Sequence, residues 1–200
     1  MTIPWAKHPE TRTERLTRVQ DFLAIASGLA EDGVRSHQAM LKGEDISAAR
    51  KSLLLRNSKA ARHLVDWRRR WELKRGTVAY EMLSDPSYPM TGPDPGGEPL
   101  FPVVLYYKKL SICQEILYYN VALMVILRYG EAVQDPELMC SALSVWPESE
   151  RHSENPLILP YEGLTHVEIA REICRSIEYA MLEHQVNEGA YTLLGPLLIA

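Results

Sequence analysis

The residues with the richest chemistry in this chain are six histidines and three cysteines, and their spacing assembles no motif. His8, His37, His63, His152, His166 and His184 form no H-E-x-x-H and include no second histidine at i+4, so no metal site is indicated. Cys113, Cys140 and Cys174 lie far apart without a C-x-x-C pair, which suggests neither a disulfide framework nor zinc. Each sits among apolar neighbours, where a free thiol acts as a small hydrophobe. No G-x-S-x-G, phosphate-binding glycine loop or dinucleotide fingerprint is present, and Gly96-Gly97 reads as a turn in a proline-rich stretch. No cofactor is implied.

Two features invite binding instead. Asn120 stands in the middle of an otherwise apolar stretch, where an unpaired amide costs about 1–3 kcal/mol. Something polar must face it: a neighbouring backbone, a side chain such as Arg175 or Glu178, or a bound small molecule. The chain holds ten tyrosines and two phenylalanines, and Tyr106, Tyr107, Tyr118 and Tyr119 crowd the same region. Tyrosine joins apolar area to a hydroxyl, which suits a polar-lined pocket. The pocket candidates are Trp71, Glu72, Tyr107, Tyr119, Asn120, Arg175 and Glu178. The second feature is Arg68-Arg69-Arg70, a candidate contact for phosphate or an acidic partner. Consecutive arginines splay around a helix, so one of them is expected to be half buried and paired with Asp66 or Glu72. A solvated or intramolecular face is the more ordinary reading of such a run than a nucleic-acid site.

These residues need elements to position them. Ile116 to Leu127 is apolar except at Asn120, and a helix apolar on all sides must be enclosed by others. That run is shorter than the roughly 20 residues a bilayer span needs. It predicts a buried central helix over about residues 112–129. Before it, Glu14 to Asp32 has amphipathic spacing, Gly33 is expected to end that helix, and a shorter one covers Val34 to Leu41. Asp45 is placed to cap a long helix reaching Lys74, with Trp67 and Trp71 on its apolar face and arginines and lysines on the other. Between Asp85 and Pro102 six prolines and three glycines predict a long loop. After the central helix, Asp135-Pro136-Glu137 opens a helix ending near Trp146. Thr165 and Glu168 form a capping box for a last helix to about His184, whose buried face is read as Val167, Ala170, Ile173, Cys174, Ile177 and Met181. Strand alternation is not evident. The expected fold is all-α, one domain over residues 1–200: a basic half (1–84), the loop (85–102) and an acidic half (103–200), arranged irregularly around the central helix.

Composition sets the outer bounds. Two hundred residues with nearly half hydrophobic describe a globular chain able to bury a core. Residues 1–80 hold 16 Lys+Arg against 9 Asp+Glu, and residues 81–200 hold 6 against 17. The basic half could meet nucleic acid or an acidic partner; the simpler account is that the two halves complement each other. The N-terminus lacks the apolar core of a secretory signal, which points to the nucleus or cytoplasm and away from a membrane.

Several segments, in order, resemble a known family. Trp67-Arg68-Arg69-Arg70-Trp71-Glu72, Tyr80-Glu81, Leu100-Phe101-Pro102-Val103-Val104-Leu105-Tyr106 and Leu117-Tyr118-Tyr119-Asn120-Val121-Ala122-Leu123 are similar to the middle homology region of fungal zinc-binuclear-cluster transcription factors. Ala170 to Tyr179, Gly189-Ala190-Tyr191 and Gly195-Pro196-Leu197 continue the likeness, which covers about residues 60–200. The resemblance implies a helical regulatory domain, in this family set behind a DNA-binding cluster of six cysteines. Here no cysteine precedes Cys113, so zinc-dependent, sequence-specific DNA binding is not carried over. The expected function is regulation through protein contacts or a small ligand, with a tie to fungal secondary metabolism. The apolar stretch Tyr191 to Ala200, with Leu197 and Leu198, is expected to meet a protein partner or a second copy. Two rivals remain: a cofactor-independent cyclase, isomerase or lyase on the same scaffold, and a non-functional fragment of a larger regulator. In the enzyme, Asn120 or a tyrosine polarises a carbonyl and Glu178 or His184 moves the proton.

Overall fold

The computed structural model describes residues 9–84, 100–132, 142, 144–150, 153–160 and 165–181. Their order is α1 (Pro9–Leu41), α2 (Ser47–Arg75), β1 (Ala79–Leu83), β2 (Val103–Tyr107), α3 (Leu110–Ala132), a 3-10 turn (Glu148–Glu150), α4 (His166–Arg175) and α5 (Ile177–Ala180). Most of the expected loop (residues 85–99), most of the helix expected over 135–146, and Tyr191 to Ala200 lie outside the described residues, as do His8, Cys140, His152, His184, Leu197 and Leu198.

The expected central helix is α3, extended at both ends. Every residue from Tyr119 to Leu127 is buried, and α1, α2, α4 and β2 all pack against it. By length and hydropathy the stretch Leu110–Glu131 is long enough to cross a membrane, more than the short apolar run suggested, but most of it is buried inside this fold, as in the core helix of a soluble protein. Phe22 from α1 and Trp67 from α2 meet edge to face at 4.9 Å between ring centres, and Trp67 stacks on Tyr119 of α3 at 5.2 Å. Aromatic contact thus joins the first three helices.

The fold is largely helical rather than all-α. β1 and β2 pair antiparallel, with Ala79 opposite Tyr107 and Leu83 opposite Val103. The amide of Lys108 bonds the Val78 carbonyl at 2.9 Å and that of Ser84 the Pro102 carbonyl at 3.0 Å, extending the ladder. Val103 to Tyr107 is a continuous apolar run, which periodicity alone cannot assign to strand or helix. Its burial explains the composition: Val104, Leu105 and Tyr107 are buried, while β1 is exposed after Ala79.

Three local expectations are corrected. Gly33 does not end a helix; α1 runs through it to Leu41. A Cβ built on Gly33 would fall inside the Tyr129 ring, whose hydroxyl donates to the Ala30 carbonyl at 3.2 Å, so the glycine serves close packing between α1 and α3. The real stop is Gly43 at φ +72°, where the Glu44 amide reaches Ala39 O and the Gly43 amide reaches Met40 O, the paired bonds of a Schellman end. Asp45 is one residue before the N-cap, which is Ile46; its carboxylate still accepts the Ser47 amide at 2.9 Å. The last helix breaks at Ser176; of its expected inner face Ile173 and Ile177 are buried and Ala170, Cys174 and Met181 pack against the core, while Val167 is exposed and Ile169 and Glu172 are buried in addition. The capping box itself is present: Thr165 Oγ1 accepts the Glu168 amide and Glu168 accepts the Thr165 amide.

Alanine at an open helical position is worth about 1 kcal/mol more than glycine. At Gly33 the added methyl displaces the Tyr129 ring and its hydrogen bond, so Gly33→Ala is expected to cost about 1–2 kcal/mol net. The loss should shrink when Tyr129→Leu is added, as read by urea unfolding of both variants.

Candidate functional site

Asn120 determines where the buried polar groups gather. Its Nδ2 donates to Glu172 Oε1 of α4 at 2.7 Å, and Glu172 Oε2 accepts the Ile158 amide. The partner is therefore Glu172, not Glu178 or Arg175. Both Asn120 and Glu172 are 1% exposed. Burial raises the Glu172 carboxyl above its ordinary 4.5, opposed by Arg68, the Ile158 amide and Asn120.

Arg68, one of the three candidate partner contacts, is the arginine of the run that turns inward to Glu72, and it is fully rather than half buried, so it offers no partner-facing surface. Its Nε donates to Glu72 Oε1 at 2.9 Å, and its guanidinium lies 5.3 Å from the Trp71 ring centre and 5.6 Å from that of Tyr119. Burial pulls its pKa down, and the Glu72 carboxylate with further help from Tyr119 and Glu172 outweighs that, so the cation is retained. The i, i+4 spacing on α2 brings the pair together, and the same helix face carries Trp71. Arg69 is half buried and bidentate on Glu150, at 2.7 and 3.1 Å, while Arg70 pairs with Asp66 at 2.8 Å.

Glu72 is held from its other side by Ser153 Oγ at 2.7 Å and Asn155 Nδ2 at 3.0 Å. Asn155 Oδ1 in turn accepts the Val78 and Ala79 amides at 2.7 and 3.0 Å, and its Nδ2 also donates to Gly76 O. Gly76 at φ +59° makes the tight exit from α2 that this needs. The Trp71 indole donates to Glu115 Oε2 at 3.0 Å, and Arg75 Nη2 spans both Glu115 oxygens.

Of the expected pocket residues, Trp71, Glu72, Tyr119 and Asn120 converge here around Arg68. Tyr107 borders the cluster: its hydroxyl bonds Ser176 Oγ at 2.8 Å, and burial, with Cys113 and Glu172 nearby, pushes its pKa well up. Arg175 and Glu178 lie elsewhere, against the sheet. Arg175 donates to Val103 O and Glu81, and Glu178 accepts Ser84 Oγ at 2.7 Å and the Tyr106 hydroxyl at 2.8 Å. Among the described residues no group of three or more His, Cys, Asp or Glu side chains is placed to hold a metal ion.

Compared with known proteins, the chain matches no family model, no curated protein and no solved structure. The geometry has to carry the chemistry. Arg68 Nη1, the Tyr119 hydroxyl and Asn120 Oδ1 are buried without a hydrogen-bond partner. The buried cluster thus keeps two donors and an acceptor whose hydrogen-bonding capacity is unused. Burial raises the Tyr119 hydroxyl pKa, so this group stays neutral and acts as a hydrogen-bonding group rather than a base.

Reading residues alone missed Glu172, Glu115 and Asn155. Glu172 had a usable signal: it lies between Ile169 and Ile173 on the i, i+3, i+4 face of a helix whose start is marked by the capping box. Glu115 sits one residue before the apolar run, and Asn155 in a proline-interrupted stretch, where no period applies.

Two expectations follow. Removing an unpartnered buried hydroxyl leaves no group unsatisfied, so Tyr119→Phe should be neutral or stabilising in the isolated protein by thermal unfolding, and destabilising if a molecule is held there. Because the Glu172 pKa is raised on folding, the folded state binds its proton more tightly and loses stability as pH climbs above the unfolded value near 4.5. The stability of the native chain relative to Glu172→Gln should therefore fall between pH 4 and pH 7 in urea titrations.

Proposed function

We propose that this chain is a helical regulatory domain of the kind found in the middle homology region of fungal zinc-binuclear-cluster transcription factors, acting through protein contacts or a small ligand in the nucleus or cytoplasm. The observation that supports this is spatial. The segments of the resemblance are separated in sequence, at Trp67–Glu72, Leu117–Leu123 and Ala170–Tyr179, and they supply the residues that meet in one buried cluster: Arg68, Glu72, Tyr119, Asn120 and Glu172. A core built from those stretches and left with open polar atoms suits a domain whose packing responds to what it holds.

The enzyme reading draws less support. Of its two proton carriers, Glu178 has both carboxylate oxygens engaged, by Ser84 and by Tyr106, and His184 lies outside the described residues. The regulatory reading is tested by fusing the full chain to an unrelated DNA-binding domain in a fungal host with a matching reporter. A several-fold rise or fall in reporter output is expected. An unchanged reporter, with the fusion folded and nuclear, would sink the proposal.

A further inference from the structure

The two-stranded sheet has one covered edge and one open edge. On the far side of β2, Arg175 Nε donates to Val103 O at 3.0 Å, and α4 and α5 pack against the strand. The bonds from Lys108 N to Val78 O and from Ser84 N to Pro102 O show that the even-numbered residues of β1 bond to β2, so the amides and carbonyls of Ala79, Glu81 and Leu83 point the other way. Asn155 Oδ1 takes the Ala79 amide at 3.0 Å. Beyond it, the backbone amides and carbonyls of Glu81 and Leu83 have no hydrogen-bond partner among the described residues. The side chains of this strand are exposed as well: Tyr80 and Met82 by 44% each, Leu83 by 79%. Its one charge, Glu81, is already held by Arg175 at 2.5 Å. An edge strand with apolar side chains and no free charge to guard it is a template for another strand.

We propose that β1 pairs with β1 of a second copy of this chain, antiparallel across a two-fold axis at Met82, joining the two small sheets into one. The open groups are self-complementary in that register. Glu81 and Leu83 of one copy exchange amide-to-carbonyl bonds with Leu83 and Glu81 of the other, which satisfies every open group on both strands. The two copies of Met82 meet at the axis with Cα atoms about 4.5 Å apart, and Tyr80 extends the apolar stripe on the same face at either end. Glu81 faces Leu83 and not a second carboxylate. Shifting the pairing by two residues would set Glu81 directly against Glu81 and would ask for the Ala79 amide that Asn155 holds. Leu83 ends β1, so the incoming chain leaves the sheet before it reaches Asn155. Residues 85–99 of the same chain are excluded as the occupant by composition, because Pro86, Pro89, Pro93, Pro95 and Pro99 lack the donors a strand needs. A pairing this short buries less than the roughly 1,000 Å² of a stable complex, so the dimer is weak and reversible. The contact goes beyond the regulatory reading and stands whatever the reporter assay gives.

The test is sedimentation velocity of the full chain over about a hundredfold range of concentration, which should show a monomer–dimer equilibrium. Leu83→Pro removes only an outward amide and should abolish the dimer, while circular dichroism should show the helical content unchanged. Met82→Lys and Met82→Glu change an exposed side chain and leave the backbone intact. Each should be monomeric alone, because like charges meet at the axis, and the two should associate when mixed. Register is read by oxidation in a chain carrying Cys140→Ser and Cys174→Ser. Met82→Cys should give a disulfide-linked dimer, while Tyr80→Cys, equally exposed but about 13 Å from its counterpart, should not. A monomer at every concentration would overturn the proposal. So would a dimer that survives Leu83→Pro, or one that oxidises at both positions alike, either of which would place the contact elsewhere, as at Tyr191 to Ala200.

Discussion

The rest of the structure depends on one constraint: an amide, Asn120, placed inside a helix that has no solvent-facing side. Its hydrogen bond to Glu172 solves the amide's problem by burying a carboxylate. That carboxylate is compensated by Arg68, which is itself fully buried and needs Glu72. Glu72 then requires Ser153 and Asn155, and Asn155 reaches the first amides of the sheet. A single polar residue in the core thus propagates through α4, α2, the 153–160 segment and β1. Replacing such a chain by apolar side chains could match its stability, since desolvation of the charges offsets much of their attraction. What the network supplies is mutual placement: the Asn120–Glu172 and Arg68–Glu72 bonds tie α3 to α4 and fix the inner face of α2.

The charge asymmetry between the halves has a partial structural counterpart in the same terms. Arg69 reaches Glu150 and Arg75 reaches Glu115, so two cations of the basic half are matched by carboxylates of the acidic half. The asymmetry left over lies on the outer face of α2.

Legibility followed locality. α3, the long α2 and the capping box of α4 were readable because each is set by residues within a few positions of one another. The sheet was not, since β1 and β2 are strands by virtue of pairing across some twenty residues, and neither alternates. Gly33 was misread because a glycine that breaks a helix and one that admits a neighbouring ring look alike in sequence; only Tyr129, far along the chain, distinguishes them. That Asn120 needs a polar partner follows from its own apolar surroundings, but naming Glu172 requires the rotation of α4, which turns Ile169, Glu172 and Ile173 inward and leaves Val167 outside. The site's other half, Asn155 and Ser153, stands in irregular chain where side-chain direction has no period to follow.

Asn155 has a further consequence for the order in which the chain can become a fold. It fills the role of a missing strand for Val78 and Ala79 and closes the turn at Gly76, although it arrives more than seventy residues later. During synthesis from the N-terminus, α2 and the start of β1 therefore emerge with amides, Glu72 and the buried guanidinium still exposed to water. They stay so until the 153–172 region leaves the ribosome. The buried polar partners of the N-terminal half thus come from far along the chain, and this long sequence separation adds loop-closure cost to folding.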